Sequence, residues 1–122
     1  MSATDGRLRD RVISRTIGIP GRSLNSARSQ HFVIDEPPHR GGPGEALTPV
    51  EAFLAGISAC GVLLVQSYAG EMGIPLAGAI CEIEGVRDRA HPAEFEAITL
   101  RFALTGPDPE QARQLVGRYQ ER

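Results

Sequence analysis

The chain has 122 residues, which is enough for a single domain with a core of modest size. Its 13 basic and 15 acidic side chains give a formal net charge of -2, which argues against nucleic acid or an anionic membrane as a partner and favours a small molecule or another protein chain. Two cysteines and a polar start without an apolar signal segment predict a cytoplasmic protein whose thiols are free or transiently oxidised.

The first third of the chain predicts three strands followed by a long loop. β-branched residues are frequent between positions 9 and 19 and indicate a first strand, followed by a turn at residues 18–21 (Gly-Ile-Pro-Gly). Residues 22–27 and 30–34 predict the second and third strands. The segment 37–48 is dense in proline and glycine, as expected of a loop.

A long helix is predicted over residues 49–72. Thr48 has the N-cap preference, Pro49 fits the first helical position, and Glu51 completes a capping box. No charged side chain occurs between positions 52 and 70, and the apolar spacing indicates a wide buried face. We interpret this segment as a buried soluble helix rather than a membrane span. At about 36 Å it is long for so small a domain, so cover from a second chain is expected.

The rest of the chain predicts a hairpin and a second helix. Residues 77–86 and 95–104 alternate between apolar and polar side chains, which is typical of strands with one buried face. Asp108 opens a helix that is expected to continue to Arg122. The order β-β-β-α-β-β-α predicts an α+β domain with helices on one face of antiparallel strands.

Cys60, in the middle of the uncharged helix, is the first candidate for chemistry. By residue type alone, packing is the stronger interpretation, because free cysteine behaves as a small hydrophobe. It lies about 11 residues past Pro49, too far for the helix dipole to stabilise a thiolate, so a nearby cation would be needed. Arg15, Arg22 and Arg28 in the N-terminal strands are candidates, although surface arginines are common.

The other candidates have simple structural explanations. Glu51 is accounted for by the capping box, and on one helix it lies about 13 Å from Cys60 on the opposite face. Cys81 falls on the buried face of a predicted strand and is interpreted as core. The three histidines and two cysteines lack metal-ligand spacing, and no phosphate-binding loop is present, so no metal or cofactor is expected.

Several segments occur in an order that resembles one known family. They are Asp35-Glu36-Pro37-Pro38, Gly41-Gly42-Pro43-Gly44 and the helix from Thr48-Pro49-Val50-Glu51 to Ser58-Ala59-Cys60, followed by residues 73–76, 85–88 and 95–98. From about His31 to Arg122 the chain resembles the OsmC and organic hydroperoxide resistance (Ohr) superfamily, and its OsmC-like branch in particular. The resemblance implies an intertwined homodimer in which curved antiparallel sheets enclose paired long central helices.

The resemblance also implies a thiol peroxidase that reduces organic hydroperoxides in oxidative-stress defence and is recycled by a dithiol reductant. Cys60 matches the peroxidatic cysteine, and Arg22 is the best match for the arginine that holds its thiolate. The glutamate that orients this arginine directly follows the helix-starting proline in the family, where this chain has Val50. Glu51 matches the OsmC-like branch, one residue and about 100° further along the helix.

Two features favour a different function. The family's resolving cysteine would fall beyond Arg122, so either the sequence is truncated at its C-terminal end or the protein has no resolving cysteine; Cys81 does not match it. In addition, Val50 replaces the orienting glutamate. The alternative is a non-catalytic OsmC-like dimer whose cleft binds a small hydrophobic ligand, with Cys60 retained for packing or for sensing redox state.

Overall fold

The computed structural model describes residues 5–121, and its elements follow the predicted order. They are β1 (Ile13–Thr16), β2 (Arg22–Ala27), β3 (Gln30–Asp35), a 3₁₀ turn (Pro38–Arg40), α1 (Pro49–Met72), β4 (Gly78–Val86), β5 (Ala97–Thr105) and α2 (Pro109–Gln120). The first strand is shorter than expected, and α2 ends at Gln120; the predicted last helical residue, Arg122, lies outside the described residues. The chain divides into two compact units, one ending at Ala52 and one beginning at Phe53.

The first unit contains an antiparallel sheet with the strand order β1-β2-β3. The β2–β3 hairpin closes with Ala27 paired to Gln30, which leaves two residues in the turn. The first of these, Arg28, has a φ of 56°, in the left-handed region that tight hairpin turns require. This register places Arg22 directly opposite Asp35 at the other end of the hairpin.

The loop between β3 and α1 folds back on that same end of the sheet. The backbone N–H of Glu36 donates to the carbonyl of Gly21 at 2.8 Å. A Cβ atom on Gly42 would lie 2.0 Å from the Glu36 carbonyl oxygen, so this close approach of two backbone segments requires glycine. The loop thereby brings Glu45 to the ends of β2 and β3.

The second unit packs α1 and α2 with the β4–β5 hairpin around a small core. Its buried residues are Val65, Ala69, Ile74 and Leu115, surrounded by the partly buried Tyr68, Leu76, Phe102, Leu104 and Tyr119. Residues of β4 alternate between half-buried and exposed, as predicted. At Gly61 an added Cβ would lie 3.1 Å from the Phe102 ring, so the missing side chain allows α1 to pack closely.

Within one chain, the buried stripe of α1 is narrower than predicted. Among its 24 residues, Gly61, Val65 and Ala69 are buried, on successive turns, and Phe53 and Leu63 are among the exposed large apolar residues. By length and composition alone α1 could cross a membrane, and 11% of its most apolar 18-residue window is buried. The predicted wide face is apolar in sequence, but a single chain buries only a narrow stripe of it.

Gly42→Ala is expected to destabilise the first unit by about 1–3 kcal/mol, because the new methyl group would overlap a backbone carbonyl that cannot move freely. Chemical denaturation measures the change. Gly117→Ala is the matched control: its Cβ would meet nothing within 4 Å, and alanine in a helix is expected to stabilise by about 0.5–1 kcal/mol. A Gly42→Ala protein as stable as the wild type would show that the loop does not pack as described.

Candidate functional site

Arg22 and Asp35 form a bidentate ion pair across the open end of the β2–β3 hairpin. Arg22 Nε donates to Asp35 Oδ1 at 2.7 Å, and Nη2 donates to Oδ2 at 2.8 Å. The Asp35 side chain is completely buried and that of Arg22 is 19% exposed. Two parallel charge-assisted bonds fix both the position and the plane of the guanidinium group.

Glu45 adds a third carboxylate contact from the loop. Its Oε1 accepts a hydrogen bond from the same Arg22 Nη2 at 2.8 Å, and its backbone N–H donates to Asp35 Oδ2 at 3.0 Å. The Glu45 side chain is 73% exposed, so it forms the solvent side of the group. We call Arg22, Asp35 and Glu45 the arginine cluster.

The charges of the arginine cluster stabilise one another. Hydrogen bonding to Arg22 outweighs burial and holds the pKa of Asp35 below its usual value, helped by the Glu45 backbone amide. The hydrogen bonds that Arg22 donates to Asp35 and to Glu45 raise the pKa of Arg22, so the guanidinium stays charged at every pH of interest. With two carboxylates around one guanidinium, Arg22 offers less net positive charge to a further anion than a free arginine would.

Cys60 lies on α1 in the second unit, next to the buried Gly61, and is exposed. It is a free thiol, and its exposure gives a dissolved reagent access to the sulfur. Cys81 is the other free thiol; it is half-buried on β4, where desolvation raises its pKa. Cys60 is therefore the more accessible of the two sulfurs.

Glu51 forms the predicted capping box at the start of α1. The Thr48 N–H donates to Glu51 Oε1 at 2.9 Å, and the Glu51 N–H donates to Thr48 Oγ1 at 3.2 Å. Among residues 5–121, no hydrogen bond or ion pair joins Glu51 to Arg22. The carboxylates that contact Arg22 are thus those of Asp35 and Glu45.

The other two candidate arginines lie at exposed positions, Arg15 on β1 and Arg28 in the hairpin turn. Within the described part of the chain neither forms an ion pair with a carboxylate, whereas Arg22 forms two. Arg22 is therefore the strand arginine that the fold holds in a defined orientation.

Asp35 and Glu45 were not predicted from the sequence as site residues. Asp35 could have been found, because a two-residue turn at Arg28 fixes a register that places it opposite Arg22. Glu45 could not, since its contact depends on the path of the glycine-rich loop. No group of three or more His, Cys, Asp or Glu side chains within residues 5–121 is arranged to hold a metal ion.

Residues 42–122 match the sequence profile of the family described as OsmC-like protein, so the chain belongs to the OsmC-like protein family. No curated protein sequence matches it at a significant level.

Solved structures of the same family share the fold. The OsmC-like protein of Mycoplasma pneumoniae superposes with a TM-score of 0.81 at 14% identity, covering 94% of this chain and 82% of that one. The organic hydroperoxide resistance protein OhrB of Bacillus subtilis gives 0.63 at 21% identity, covering 93% and 84%. A candidate organic hydroperoxide resistance protein of Vibrio cholerae, with captopril bound in one of its active sites, gives 0.60 at 22%, covering 93% and 78%. These similarities confirm the predicted α+β, OsmC-like fold.

Asp35→Asn is expected to lower the thermal unfolding midpoint at pH 7 by roughly 5–15 °C, because it removes one charge of a buried bidentate pair. The pKa of Asp35 is lowered in the folded state, so the stabilisation is fully present above the unfolded-state value of about 3.9 and is lost as the pH falls through the folded-state value. The difference between wild type and variant should therefore be constant above about pH 5 and shrink below pH ~4.

Unfolding midpoints measured by circular dichroism from pH 7 down to pH ~2.5 would follow this loss. Asp10→Asn, at an exposed position, is the control and should leave the midpoint nearly unchanged. A difference for Asp35→Asn that grew towards low pH would contradict the ion pair.

Proposed function

We propose that this protein is a Cys-dependent thiol peroxidase that reduces organic hydroperoxides and acts in the cytoplasm. One observation carries the proposal: the segment that matches the OsmC-like family places a free, exposed thiol, Cys60, on the long helix. Reactive cysteines need access to their substrate, whereas Cys81 is half-buried and its pKa is raised. The names of several structural neighbours, including OhrB, support the same class of substrate.

The chemistry needs one thiolate and an external dithiol. The Cys60 thiolate attacks the distal peroxide oxygen, the O–O bond breaks, and the alkoxide leaves and is protonated to the alcohol; Cys60 becomes a sulfenic acid. One thiol of the reductant then displaces water to form a mixed disulfide. Its second thiol closes the reductant's own disulfide and releases the Cys60 thiolate.

Arg22 is the proposed cation that stabilises the thiolate. Its support is the resemblance at this position, together with an orientation held by two hydrogen-bonded carboxylates. Glu51 is a weaker candidate for orienting Arg22, because one of its oxygens already accepts the Thr48 N–H at the helix start.

Cys60→Ser is expected to reduce the turnover of cumene hydroperoxide with a dithiol reductant by at least about a hundredfold, because a serine hydroxyl cannot replace the thiolate nucleophile. Consumption of peroxide and of thiol is measured separately, with two thiol groups (one dithiol) oxidised for each peroxide reduced. Cys81→Ser is the matched control and should retain most of the activity. Wild-type protein without turnover would exclude the peroxidase function.

A second candidate function is the binding of a small apolar ligand by a non-catalytic dimer. The two carboxylates around Arg22 favour it, because they reduce the positive charge available to stabilise a thiolate. Captopril in an active site of the Vibrio cholerae neighbour is a second support, since it places a small organic molecule in a protein of this fold. Saturable binding of an apolar fluorescent probe, together with no peroxide turnover, would favour this function.

We further propose that a second copy of the chain covers α1 to form a homodimer. The helix has large exposed apolar side chains, with Leu63 61% and Phe53 56% exposed, and such surfaces are typical of obligate interfaces. A bilayer is a poorer partner, because α1 also carries the polar side chains of Ser58, Gln66 and Ser67.

Sedimentation should give a mass twice the 13.1 kDa of the chain for the wild type. Leu63→Arg is expected to shift the protein towards the monomer, weakening association by at least about tenfold, because it places a charge in an apolar interface. Leu8→Arg changes a residue that is 98% exposed outside α1 and serves as the control. A wild-type monomer at micromolar concentration would rule out the dimer.

A further inference from the structure

We propose that Ser26 and His31 form a second reactive site, independent of Cys60 and Arg22, which transfers acyl groups from activated esters to the Ser26 hydroxyl and then to water. Its basis is a hydrogen bond between a nucleophilic and a basic side chain within the first unit. Ser26 Oγ and His31 Nδ1 lie 2.7 Å apart. At this distance a base can remove the hydroxyl proton as the oxygen attacks a substrate.

The strand register brings these two side chains together. Ser26 on β2 and His31 on β3 are directly opposite each other, next to the pair that closes the two-residue turn. Directly opposed residues of antiparallel strands point to the same face of the sheet. At the adjoining pair, the buried Asn25 donates through Nδ2 to the Phe32 carbonyl at 3.2 Å and links the same two strands. A short, cross-linked hairpin therefore sets the positions of nucleophile and base.

His31 suits the role of a general base. When the hydrogen of the neutral imidazole is on Nε2, Nδ1 has a lone pair that accepts the Ser26 hydroxyl. His31 is exposed and Ser26 is half-buried, so an ester in solution can reach the oxygen. Within residues 5–121 no carboxylate is hydrogen-bonded to the imidazole. The pair is thus a dyad, and its rate gain should be much smaller than that of a Ser-His-Asp triad.

Neighbouring side chains on the same face suit an apolar acyl group that develops negative charge. Ile13 on β1 is directly opposite Ser26 and is 50% exposed, so it offers apolar surface beside the hydroxyl. Arg15 is opposite Leu24, two residues before Ser26 on β2, and therefore lies on the same face. Such diagonal neighbours are about 7–8 Å apart, within reach of a guanidinium. Because Arg15 forms no ion pair within residues 5–121, it can stabilise the oxyanion that attack creates.

The reaction is an acyl transfer without a change of oxidation state. As the Ser26 oxygen bonds to the carbonyl carbon, its proton moves to His31 Nδ1. The ester C–O bond then breaks, and the imidazolium returns the proton to the leaving oxygen. Water, deprotonated by the same imidazole, attacks the acyl-serine, releases the carboxylic acid and restores the hydroxyl. The substrate class is an activated ester with a small apolar acyl group.

The test uses p-nitrophenyl acetate and a Cys60→Ser, Cys81→Ser background, because thiols also react with this ester. The chain contains no lysine, so no side-chain amine competes for the acetyl group. After subtraction of spontaneous hydrolysis, release of p-nitrophenolate should slow by about 10- to 100-fold in Ser26→Ala and in His31→Gln, since each removes one member of the dyad. Ser29→Ala changes an exposed serine in the adjoining turn. It is the matched control and should stay within about twofold of the background protein.

The position of the acetyl group is a second readout. Trypsin cleaves after arginine, so one peptide, residues 23–28, contains Ser26, and the next, residues 29–40, contains His31. In acid-quenched protein, mass spectrometry should find the acetyl group on Ser26. Ser23 in the same peptide is an internal control, because its hydroxyl donates to a backbone carbonyl at 3.4 Å and has no imidazole partner.

Arg15→Gln should lower the rate by about three- to tenfold without moving the acetyl group, because it removes a charge beside the oxyanion. An unchanged rate in this variant would overturn the role of Arg15.

The outcomes separate the dyad from simpler reactions. Acetylation of Ser26, together with a slower rate in both dyad variants, supports the site. A rate that persists in Ser26→Ala and falls in His31→Gln would mean that the imidazole reacts alone, and would overturn the proposal. Acetylation of Ser23, or equal rates in Ser26→Ala and the background protein, would overturn it as well. Since Cys60 is absent from every protein compared, none of these results bears on the peroxidase function.

Discussion

The buried ion pair between Arg22 and Asp35 is the contact on which the organisation of the first unit depends. A carboxylate that is completely removed from solvent is tolerated only when hydrogen bonds replace its hydration. Here the guanidinium supplies two of these bonds and the loop backbone a third. The pair therefore ties the end of the sheet to the loop that leads into α1.

The second unit has a small apolar core that covers only part of the apolar surface of α1. Val65 and Leu115 are fully buried, yet large apolar side chains on other faces of α1 remain in contact with solvent. An exposed apolar surface of this kind has an unfavourable hydration free energy that a partner surface removes. This explains why the composition of α1 predicts a buried helix although one chain buries only a stripe of it.

Local signals made most of the fold predictable from the sequence. Thr48 and Asp108 each begin a helix through a capping box whose residues lie three positions apart, so both starts could be found without tertiary information. The antiparallel strands and the element order followed from alternation and turn residues in the same way.

The candidate site was less predictable, because its contacts join distant parts of the chain. Cys60 and Arg22 were selected by resemblance, but the partners of Arg22 depend on strand register for Asp35 and on loop closure for Glu45. Residue spacing indicates the contact between Arg22 and Asp35 only when the position of the hairpin turn is known. It does not indicate the contact between Arg22 and Glu45, since the path of the loop depends on which glycines allow two backbone segments to approach.

Gly61 has a consequence for the neighbouring thiol. A larger residue at this position would meet the Phe102 ring, so the absence of a side chain sets the rotation of α1 about its own axis against β5. Adjacent helical residues point about 100° apart, and a helix locked at Gly61 therefore keeps the Cys60 sulfur turned away from the core. When this sulfur gains an oxygen atom or a bulky adduct, the added volume extends outwards, and the packing around Val65 and Leu115 does not need to change. A single chain can thus carry an adduct on Cys60 without disturbing the core of its second unit.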